Sequence, residues 1–315
     1  DSGRAFLYGE STIRSDDNLI YCKKGFYDTQ ADVSYFTKDA RIEFDEKEIK
    51  ADSLYYNRNL GFASANRNIV IIDTLNNSVL KGNYAEFFEK VDSAFVVGRA
   101  VAITNTNKDS LFIHGDTILA TGKPEERIIR CYHHVKFFKS DLSGKCDSIH
   151  SNQGTGLTQM FRNPVLWSDE SQITGDTIQL INDTVEDRLD SLKVLNNAFI
   201  INKDSMGFNQ IKGRNLFGKF EENDLRFVNI VGNGEIIHYV RDEANGLIGI
   251  EKTSCSEIHF LLRESKIEQA KFLNQPDGQT YPPSKLPTNA RKLRGFNWRE
   301  NERPKSKEDI FIKDD

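Results

Sequence analysis

One short phrase of the sequence recurs at a regular interval. Gly-Asp-Thr-Ile occurs in LFIHGDTILA (residues 111–120) and again in SQITGDTIQL (171–180). If the residue before the aspartate is taken as an anchor, a small residue recurs at eight positions: Cys22, Ala51, Gly82, Gly115, Cys146, Gly175, Gly213 and Cys255. The first six anchors are separated by 29, 31, 33, 31 and 29 residues, and the last two follow after 38 and 42. Self-similarity at such an interval predicts a repeat architecture.

Apolar residues alternate around each anchor with the period of a β-strand, and the alternation slips by one residue at the anchor. Two positions before the anchor, most modules carry an aliphatic residue: Ile20, Ile49, Leu80, Ile113, Ile173 and Ile211. Three positions after the anchor, the residues are Gly25, Leu54, Ala85, Ile118, Ile149, Ile178, Leu216 and Ile258. A one-residue slip in a strand indicates a bulge or corner, and a small residue suits its crowded inside.

A second apolar strand follows in each module after a polar turn such as NRNLG (57–61). These strands are ARIEF (40–44), NIVII (68–72), AVAIT (100–104), VKFF (135–138), VLW (165–167), AFII (198–201) and GEII (234–237). A module this small cannot bury its own apolar face, so about eight two-strand modules of roughly 30 residues are expected to stack around a shared core. The predicted fold is all-β: an elongated open β-jelly roll (a β-taco), or solenoid-like stack, over residues 1–275. A meandering antiparallel β-sandwich remains open as an alternative.

An aspartate follows the anchor in four modules, as Asp52, Asp116, Asp147 and Asp176. A catalytic carboxylate would be needed at one position only, whereas these recur with the same neighbours. We therefore expect them to stabilise the bend by accepting backbone N–H bonds. None of the histidines has a metal-site spacing with cysteines or carboxylates. The sequence predicts no catalytic residue, no metal, no cofactor and no enzymatic activity.

The cysteines test the stacking. Cys22, Cys146 and Cys255 occupy the anchor position of the first, fifth and eighth modules. A strand spacing of roughly 4.8 Å puts the first and fifth modules about 19 Å apart, beyond the roughly 7 Å Cα separation that a disulfide spans. These three are expected to be unpaired small hydrophobes. Cys131 with Cys146 is the one pair that adjacent modules could bring together, so that disulfide stays open.

Charge and hydropathy exclude two classes of partner. The formal net charge of −5 does not supply the basic field that attracts nucleic acid. The sequence has no apolar run of about 18 residues, so we expect a chain that does not span a membrane. Because the sequence opens at Asp1 rather than Met, we also expect a mature or trimmed form.

The module pattern ends near residue 275. Five of the seven prolines follow, at Pro276, Pro282, Pro283, Pro287 and Pro304. Prolines hold a chain in extended or turn conformations, but Leu293, Phe296 and Trp298 would not usually be left to solvent. We expect residues 276–315 to be a Pro-rich basic segment that folds back on the last modules and covers an edge. A partly disordered linker is the alternative.

The repeated segment, a small residue–Asp–x–Leu/Ile–x–Tyr followed by a short V-x-I strand, resembles the OstA-like periplasmic lipopolysaccharide-transport proteins. These are the LptA-type bridge proteins and the N-terminal domain of the outer-membrane lipopolysaccharide assembly protein. The clearest copies are IKADSLYYNRNLGFASANRNIVIID (49–73), IHGDTIL (113–119) and ITGDTIQL (173–180). HYVRDEANGLIGIEKTSCSEIHF (238–260) is similar to the longer OstA-like proteins of Bacteroidota-type bacteria. The resemblance extends over about residues 5–310.

The resemblance implies a periplasmic bridge protein whose hydrophobic β-groove shields the lipid A acyl chains of lipopolysaccharide on the way to the outer membrane. It implies as partners other Lpt-type β-jelly-roll domains, or further copies of the chain, joined end to end by strand addition. The residues expected to line the groove are Ile42, Phe44, Leu54, Tyr56, Phe87, Ile118, Val135, Phe137, Val165, Trp167, Ile178, Leu180, Phe199 and Ile201. A non-catalytic β-solenoid scaffold and a carbohydrate-active β-helix enzyme are the alternatives.

Overall fold

The chain folds almost entirely into antiparallel β-strands. The computed structural model describes residues 3–14, 18–44, 46–75, 77–105, 109–123, 126–186, 188–222, 224–263 and 266–314. These residues form 24 strands, the 3₁₀ turns Glu89–Val91, Thr288–Arg291, Glu300–Glu302 and Asp309–Phe311, and no α-helix. The predicted all-β class is confirmed, and the antiparallel pairing is consistent with the predicted β-jelly roll. Within the described ranges, no helix has the length and apolar content needed to span a bilayer.

The strands belong to two compact units. Unit 1 comprises Asp1–Ser140, Ser148–Gln153 and Pro304–Asp315, and unit 2 comprises Asp141–Asp147 and Gly154–Arg303. Unit 1 contains β1 (Arg4–Leu7), β2 (Ser11–Arg14), β3 (Asn18–Cys22), β4 (Lys24–Asp28), β5 (Val33–Phe44), β6 (Lys47–Asn57), β7 (Phe62–Asp73), β8 (Ser78–Phe88), β9 (Ser93–Val97), β10 (Val101–Asn105), β11 (Ser110–His114), β12 (Thr117–Thr121) and β13 (Ile128–Phe138). β14 (Ser143–Asn152) contributes residues 143–147 to unit 2 and 148–152 to unit 1. Unit 2 contains β15 (Leu157–Phe161), β16 (Val165–Ser168), β17 (Ser171–Thr174), β18 (Thr177–Asp183), β19 (Arg188–Asp204), β20 (Gly207–Glu221), β21 (Asp224–Arg241), β22 (Leu247–Arg263), β23 (Lys266–Leu273) and β24 (Asp277–Tyr281).

Each module bends at its anchor, opposite two consecutive residues with positive φ on the next strand. In β7 these are Arg67 (φ 60°) and Asn68 (φ 50°), and the pairing of β6 with β7 shifts register at this point. The eight anchors face eight such pairs: Lys38–Asp39, Arg67–Asn68, Gly98–Arg99, His133–His134, Arg162–Asn163, Asn196–Asn197, Gly232–Asn233 and Asn274–Gln275. Asn, Asp, His and Gly adopt this conformation more readily than other residues. The corner therefore has its own sequence requirement, on the strand that faces the anchor.

The residue after the anchor ties the two strands of the corner together. The N–H of Asp176 donates to the carbonyl of Asn196 at 3.0 Å, and the side-chain amide of Asn197 donates to the Asp176 carboxylate at 3.0 Å. Asp52 likewise accepts from Asn68 at 3.0 Å, and His134 Nδ1 lies 2.7 Å from the Asp116 carboxylate. For Asp52, Asp116 and Asp176 the expected backbone N–H donors are replaced by side chains of the paired positive-φ residues, so the expectation is wrong at these three positions.

The anchors are small because the facing strand fills the inside of the corner. A Cβ at Gly82 would lie 2.3 Å from Val96 Cγ1, and one at Gly213 would lie 2.2 Å from Ile230 Cγ2. Real Cβ contacts do not approach so closely, so only glycine fits there without a shift of the neighbour.

All four cysteines are buried free thiols. The expectation that Cys22, Cys146 and Cys255 stay unpaired is confirmed, and Cys131 does not form the disulfide that the sequence left open. Burial raises the pKa of the Cys131 thiol to about 12. These residues therefore pack as small hydrophobes.

Residues 282–303, which we call the strap, lie against the sheet of unit 2. Leu286 and Leu293 of the strap are buried in one apolar cluster with residues of β19, β21 and β22, and Phe296 and Trp298 pack against the same cluster. The cluster members on the sheet are Phe199, Ile201, Ile237, Tyr239 and Ile250. β24, just before the strap, pairs with β22.

The last residues of the chain pack against the sheet of unit 1. Ile310 is buried, and the Phe311 ring lies 4.8 Å from the His114 ring and beneath the Arg99 guanidinium. The Lys136 ammonium donates to the carbonyl of Ile312 at 2.7 Å, and it pairs with the terminal-segment residue Asp314 at 2.8 Å. The segment 304–314 is thus held by apolar contacts and by the buried ammonium of Lys136.

Candidate functional site

Each unit has an inner face, which we define as the face on which the anchors lie. The contact of Gly82 with Val96 places the residues after the anchor on this same face, so the two limbs of a module converge at the corner. The opposite face of the same strands in unit 1 carries ion pairs of Glu48 with Arg41 and with Lys50. Charged residues favour solvent, which marks the inner face as the apolar side of the sheet.

A continuous row of apolar side chains, aliphatic except at its last position, lines the inner face of unit 1 on the limb that precedes the anchors. We call it the aliphatic row, and its members are directly paired across neighbouring strands: Ile20, Ile42, Ile49, Ile71, Leu80, Ala102, Ile113 and Phe137. Except for Phe137, all of them are partly exposed. An inward-facing row of isoleucines that stays partly exposed is apolar surface left available to a ligand.

A second row lies deeper, beside the corner, and is fully packed. It consists of Phe36, Leu54, Ala65, Ala85, Val96, Ile118 and Cys131, again paired strand to strand. None of these side chains is more than 5% exposed. This row is the core of unit 1, and the aliphatic row forms an open wall beside it.

Unit 2 repeats the arrangement over fewer strands. Ile173, Ile200 and Ile211 are paired across β17, β19 and β20 and are partly exposed on the inner face. Leu166 and Ile236 continue the row at its two ends and are buried. The apolar wall of unit 2 is therefore shorter and more closed than that of unit 1.

The predicted groove residues fall into distinct positions. Four are partly exposed on the inner face and could touch a ligand: Ile42, Tyr56, Phe87 and Leu180. Five are buried in the interior: Leu54, Ile118, Val135, Phe137 and Ile178. The side chain of Phe44 lies outside the described residues.

The remaining four, Val165, Trp167, Phe199 and Ile201, lie on the opposite face of the sheet, and their assignment to the groove is corrected accordingly. Ile201 pairs with Gln210, whereas its neighbour Ile200 pairs with Ile211 of the inner face. Phe199 and Ile201 pack against the strap, and the indole N–H of Trp167 donates to Gln172, which itself binds the strap. Both faces of unit 2 carry apolar residues here, so alternating hydrophobicity could not tell one from the other.

Sequence reasoning left most of the aliphatic row out of the predicted site. The residues two positions before the anchors carried the signal, since they share the face of the anchors. Their partners on the second strands, such as Ile71 and Ile200, lie on the same face because they pair directly with Ile49 and Ile173.

The rim of the inner face in unit 1 is polar where tyrosines reach it, because each tyrosine hydroxyl meets a carboxylate. The Tyr56 hydroxyl donates to Glu89 at 3.3 Å, and the Tyr27 hydroxyl donates to Asp32 at 3.0 Å. Burial, followed by the nearby carboxylate, raises the pKa of the Tyr56 phenol, which stays neutral. Among the described residues, no group of three or more His, Cys, Asp or Glu side chains is placed to hold a metal ion.

Fold and inner face together define an all-β protein built from stacked antiparallel modules with an aliphatic wall. No known family model and no curated protein matches the chain. Among solved structures it is similar to LptH, the LptA homologous periplasmic component of the conserved lipopolysaccharide transport device from Pseudomonas aeruginosa. The two share 13% sequence identity, the match covers 45% of this chain and 99% of that chain, and the TM-score is 0.34.

Proposed function

We propose that the chain is a non-catalytic periplasmic bridge protein that shields the acyl chains of lipopolysaccharide on its inner face during transport to the outer membrane. The observation that carries the proposal is the aliphatic row of unit 1, whose isoleucines face inward yet stay partly exposed. Water solvates such a row poorly, whereas a hydrocarbon chain matches it. The repeated module that resembles the OstA-like proteins points to the same ligand.

The energies suit a carrier that must release its cargo. Full burial of an acyl chain is worth about 0.8 kcal/mol per methylene, or on the order of 10 kcal/mol for twelve carbons. The aliphatic row offers one apolar wall, so only part of that area is removed from water. A fraction of the full burial free energy is enough to hold the lipid and still allows it to dissociate.

The same proposal assigns partners to the sheet edges. In the described pairings, β2 of unit 1 joins β3 alone and β1 joins β4 alone. In unit 2, β23 joins β22 alone. Edge strands present unpaired N–H and C=O groups, which another strand can satisfy. We propose that these edges receive other Lpt-type β-jelly-roll domains or further copies of the chain.

Two adjacent isoleucines of β7 give a matched test. Ile71 belongs to the aliphatic row, and Ile72 points to the opposite face beside Glu48; both are partly exposed. Ile71→Asp should weaken binding of lipopolysaccharide to the delipidated protein by about tenfold or more. Ile72→Asp makes the same chemical change on the other face and should bind like the wild type.

Equal losses of affinity in the two variants would contradict the proposal, because the inner face would then have no special role. Wild-type protein that binds no lipopolysaccharide at all would favour the scaffold alternative. Circular dichroism of each variant controls for the cost of placing an aspartate in a strand.

A further inference from the structure

Two buried glutamines of unit 2 hold the strap through its backbone. Gln210 is fully buried; its side-chain carbonyl accepts the N–H of Leu293 at 2.8 Å, and its amide donates to the carbonyl of Arg291 at 2.8 Å. Gln172 is 1% exposed and repeats the arrangement with the N–H of Arg299 at 2.7 Å and the carbonyl of Asn297 at 2.7 Å. Each glutamine thus binds one N–H and one C=O two residues apart, as a neighbouring β-strand would.

The side chains of the strap add apolar contacts, both before the residues that Gln210 binds and between the residues bound by Gln210 and Gln172. Leu286 and Leu293 are buried, and the rings of Phe296 and Trp298 lie 5.2 and 5.3 Å from the ring of Phe208. At the far end, Glu302 pairs with Arg299 and with Lys145 of the sheet. This is the chemistry of a peptide-binding face: backbone hydrogen bonds for affinity and pockets for side-chain choice.

Each glutamine has one further partner on unit 2: the Gln210 amide also donates to the carbonyl of Phe208 at 3.1 Å, and the Gln172 side-chain carbonyl accepts the indole N–H of Trp167 at 3.3 Å. A hydrocarbon chain over this face would leave the groups that bind the strap buried without partners, which is unfavourable, whereas an extended polypeptide satisfies them. The sequence that satisfies them is the strap itself. A single turn at Pro282–Lys285, closed by a 2.9 Å bond from the Lys285 N–H to the Pro282 carbonyl, joins the strap to β24.

We propose that the opposite face of unit 2 is a peptide-docking surface, and that a second copy of this chain can supply the strap in trans. The contacts depend on the strap's own atoms and not on its covalent connection. Within one chain, the covalently attached strap occupies the face because its effective concentration there is high. Where the chain's own strap is displaced, the strap of a second copy fits the same face, and the two chains are linked by segment exchange.

Two full-length variants test this by complementation. Leu293→Asp damages the strap and leaves the face intact, because it places a carboxylate against the apolar cluster. Gln172→Glu/Gln210→Glu damages the face and leaves the strap intact. At both positions the new carboxylate opposes the strap carbonyl that the glutamine amide bound, and at position 210 it also faces the carbonyl of Phe208, to which that amide donates at 3.1 Å.

Each variant alone is expected to be monomeric by size-exclusion chromatography with light scattering. An equimolar mixture of the two, each with a different tag, should give a species of twice the mass that contains both tags. Mixtures of two tagged forms of the same variant are the controls and should stay monomeric. A mixture of the two variants that stays monomeric, while both keep the wild-type circular dichroism spectrum, would overturn the proposal.

Hydrogen exchange of the wild-type protein covers the case in which a variant fails to fold. The amides of Leu293 and Arg299 are protected only by the docked strap, since their acceptors are Gln210 and Gln172. If the strap detaches as a unit, these amides should exchange faster than those of β19–β21 by about tenfold or more. Exchange at the same rate as the strands would mean that the strap opens only when unit 2 unfolds, and that trans docking fails.

Discussion

Two anchor glycines of unit 1 should respond differently to the same substitution. A Cβ at Gly82 would lie 2.3 Å from Val96 Cγ1 and 2.9 Å from the carbonyl oxygen of Val97. At Gly115 the nearest atoms, in Cys131 and Tyr132, are 3.4 Å away. Neither glycine has the positive φ that alanine would resist. Only the space inside the corner therefore separates the two sites.

Gly82→Ala must push Val96 outward by about 1 Å, and overpacking of this kind costs about 1–3 kcal/mol. Gly115→Ala fits without a shift and should be neutral or stabilise by about 0.4–1 kcal/mol, because alanine reduces the entropy of the unfolded chain. The free energies of unfolding of the two variants should differ by about 1.5 kcal/mol or more. Urea unfolding followed by circular dichroism near 218 nm measures this difference.

Gly115→Ala is the matched control, since it makes the same change at the equivalent anchor of the same unit. Tryptophan fluorescence gives a separate record of unit 2, because both tryptophans, Trp167 and Trp298, belong to it. The reasoning fails if Gly82→Ala is as stable as the wild type, or if both alanine variants lose the same stability.

Three further outcomes are expected. Asn197→Val should destabilise unit 2 by about 1–2 kcal/mol, because a β-branched residue resists the φ of 52° at this corner. Asn197→Gly should lose only the bond to Asp176, about 0.5–1.5 kcal/mol. Tryptophan fluorescence in urea measures the free energy of unfolding of both variants. The pKa of Glu302 is lowered to about 2, chiefly by Arg299. The stability that Glu302 contributes is therefore fully present above its ordinary pKa of 4.5 and is lost as the pH falls toward 2. The loss of stability in Glu302→Gln should reach up to about 3 kcal/mol above pH 5 and shrink toward zero near pH 2. Because burial raises the pKa of the Cys131 thiol to about 12, iodoacetamide at pH 8 should alkylate it only after unfolding in urea, as mass spectrometry would show.

The sequence was sufficient to predict the all-β class and the crowded corners at the small anchors, because both depend on local pattern. A corner crowded by Val96 or Ile230 excludes a large residue at its anchor, and this exclusion appears in the sequence as a small residue. The free state of Cys22 and Cys255 followed from strand spacing alone.

The facing half of each corner was harder to predict. Pairs such as Arg67–Asn68 and Asn196–Asn197 resemble ordinary polar turns, and they add two residues to the strand without ending it. Because a strand alternates with a period of two, this insertion leaves the face of the residues beyond it unchanged: Ala65, Ile69 and Ile71 all lie on the inner face. Phe199 was assigned to the wrong face because apolar residues lie on both faces of β19, with Ile200 on the inner face and Phe199 and Ile201 on the opposite one.

The strap could not have been placed on a particular face from sequence. Adjacent isoleucines at 200–201 and 236–237 are apolar on both sides of the sheet, and an edge and a face are equally plausible coverings for Leu293 and Trp298. Only the buried glutamines 172 and 210 hinted that a polypeptide, and not a lipid, lies over this surface, and single glutamines carry no recognisable pattern.

The central claim is that acyl chains lie along the inner-face row of unit 1, and photo-crosslinking in cells tests it most directly. A photoreactive amino acid is placed at Ile71 in one strain and at Ile72 in another, one residue apart on opposite faces of β7. The account predicts a lipopolysaccharide adduct from position 71 and none from position 72. Adducts of equal yield from both positions, or from position 72 alone, would contradict it.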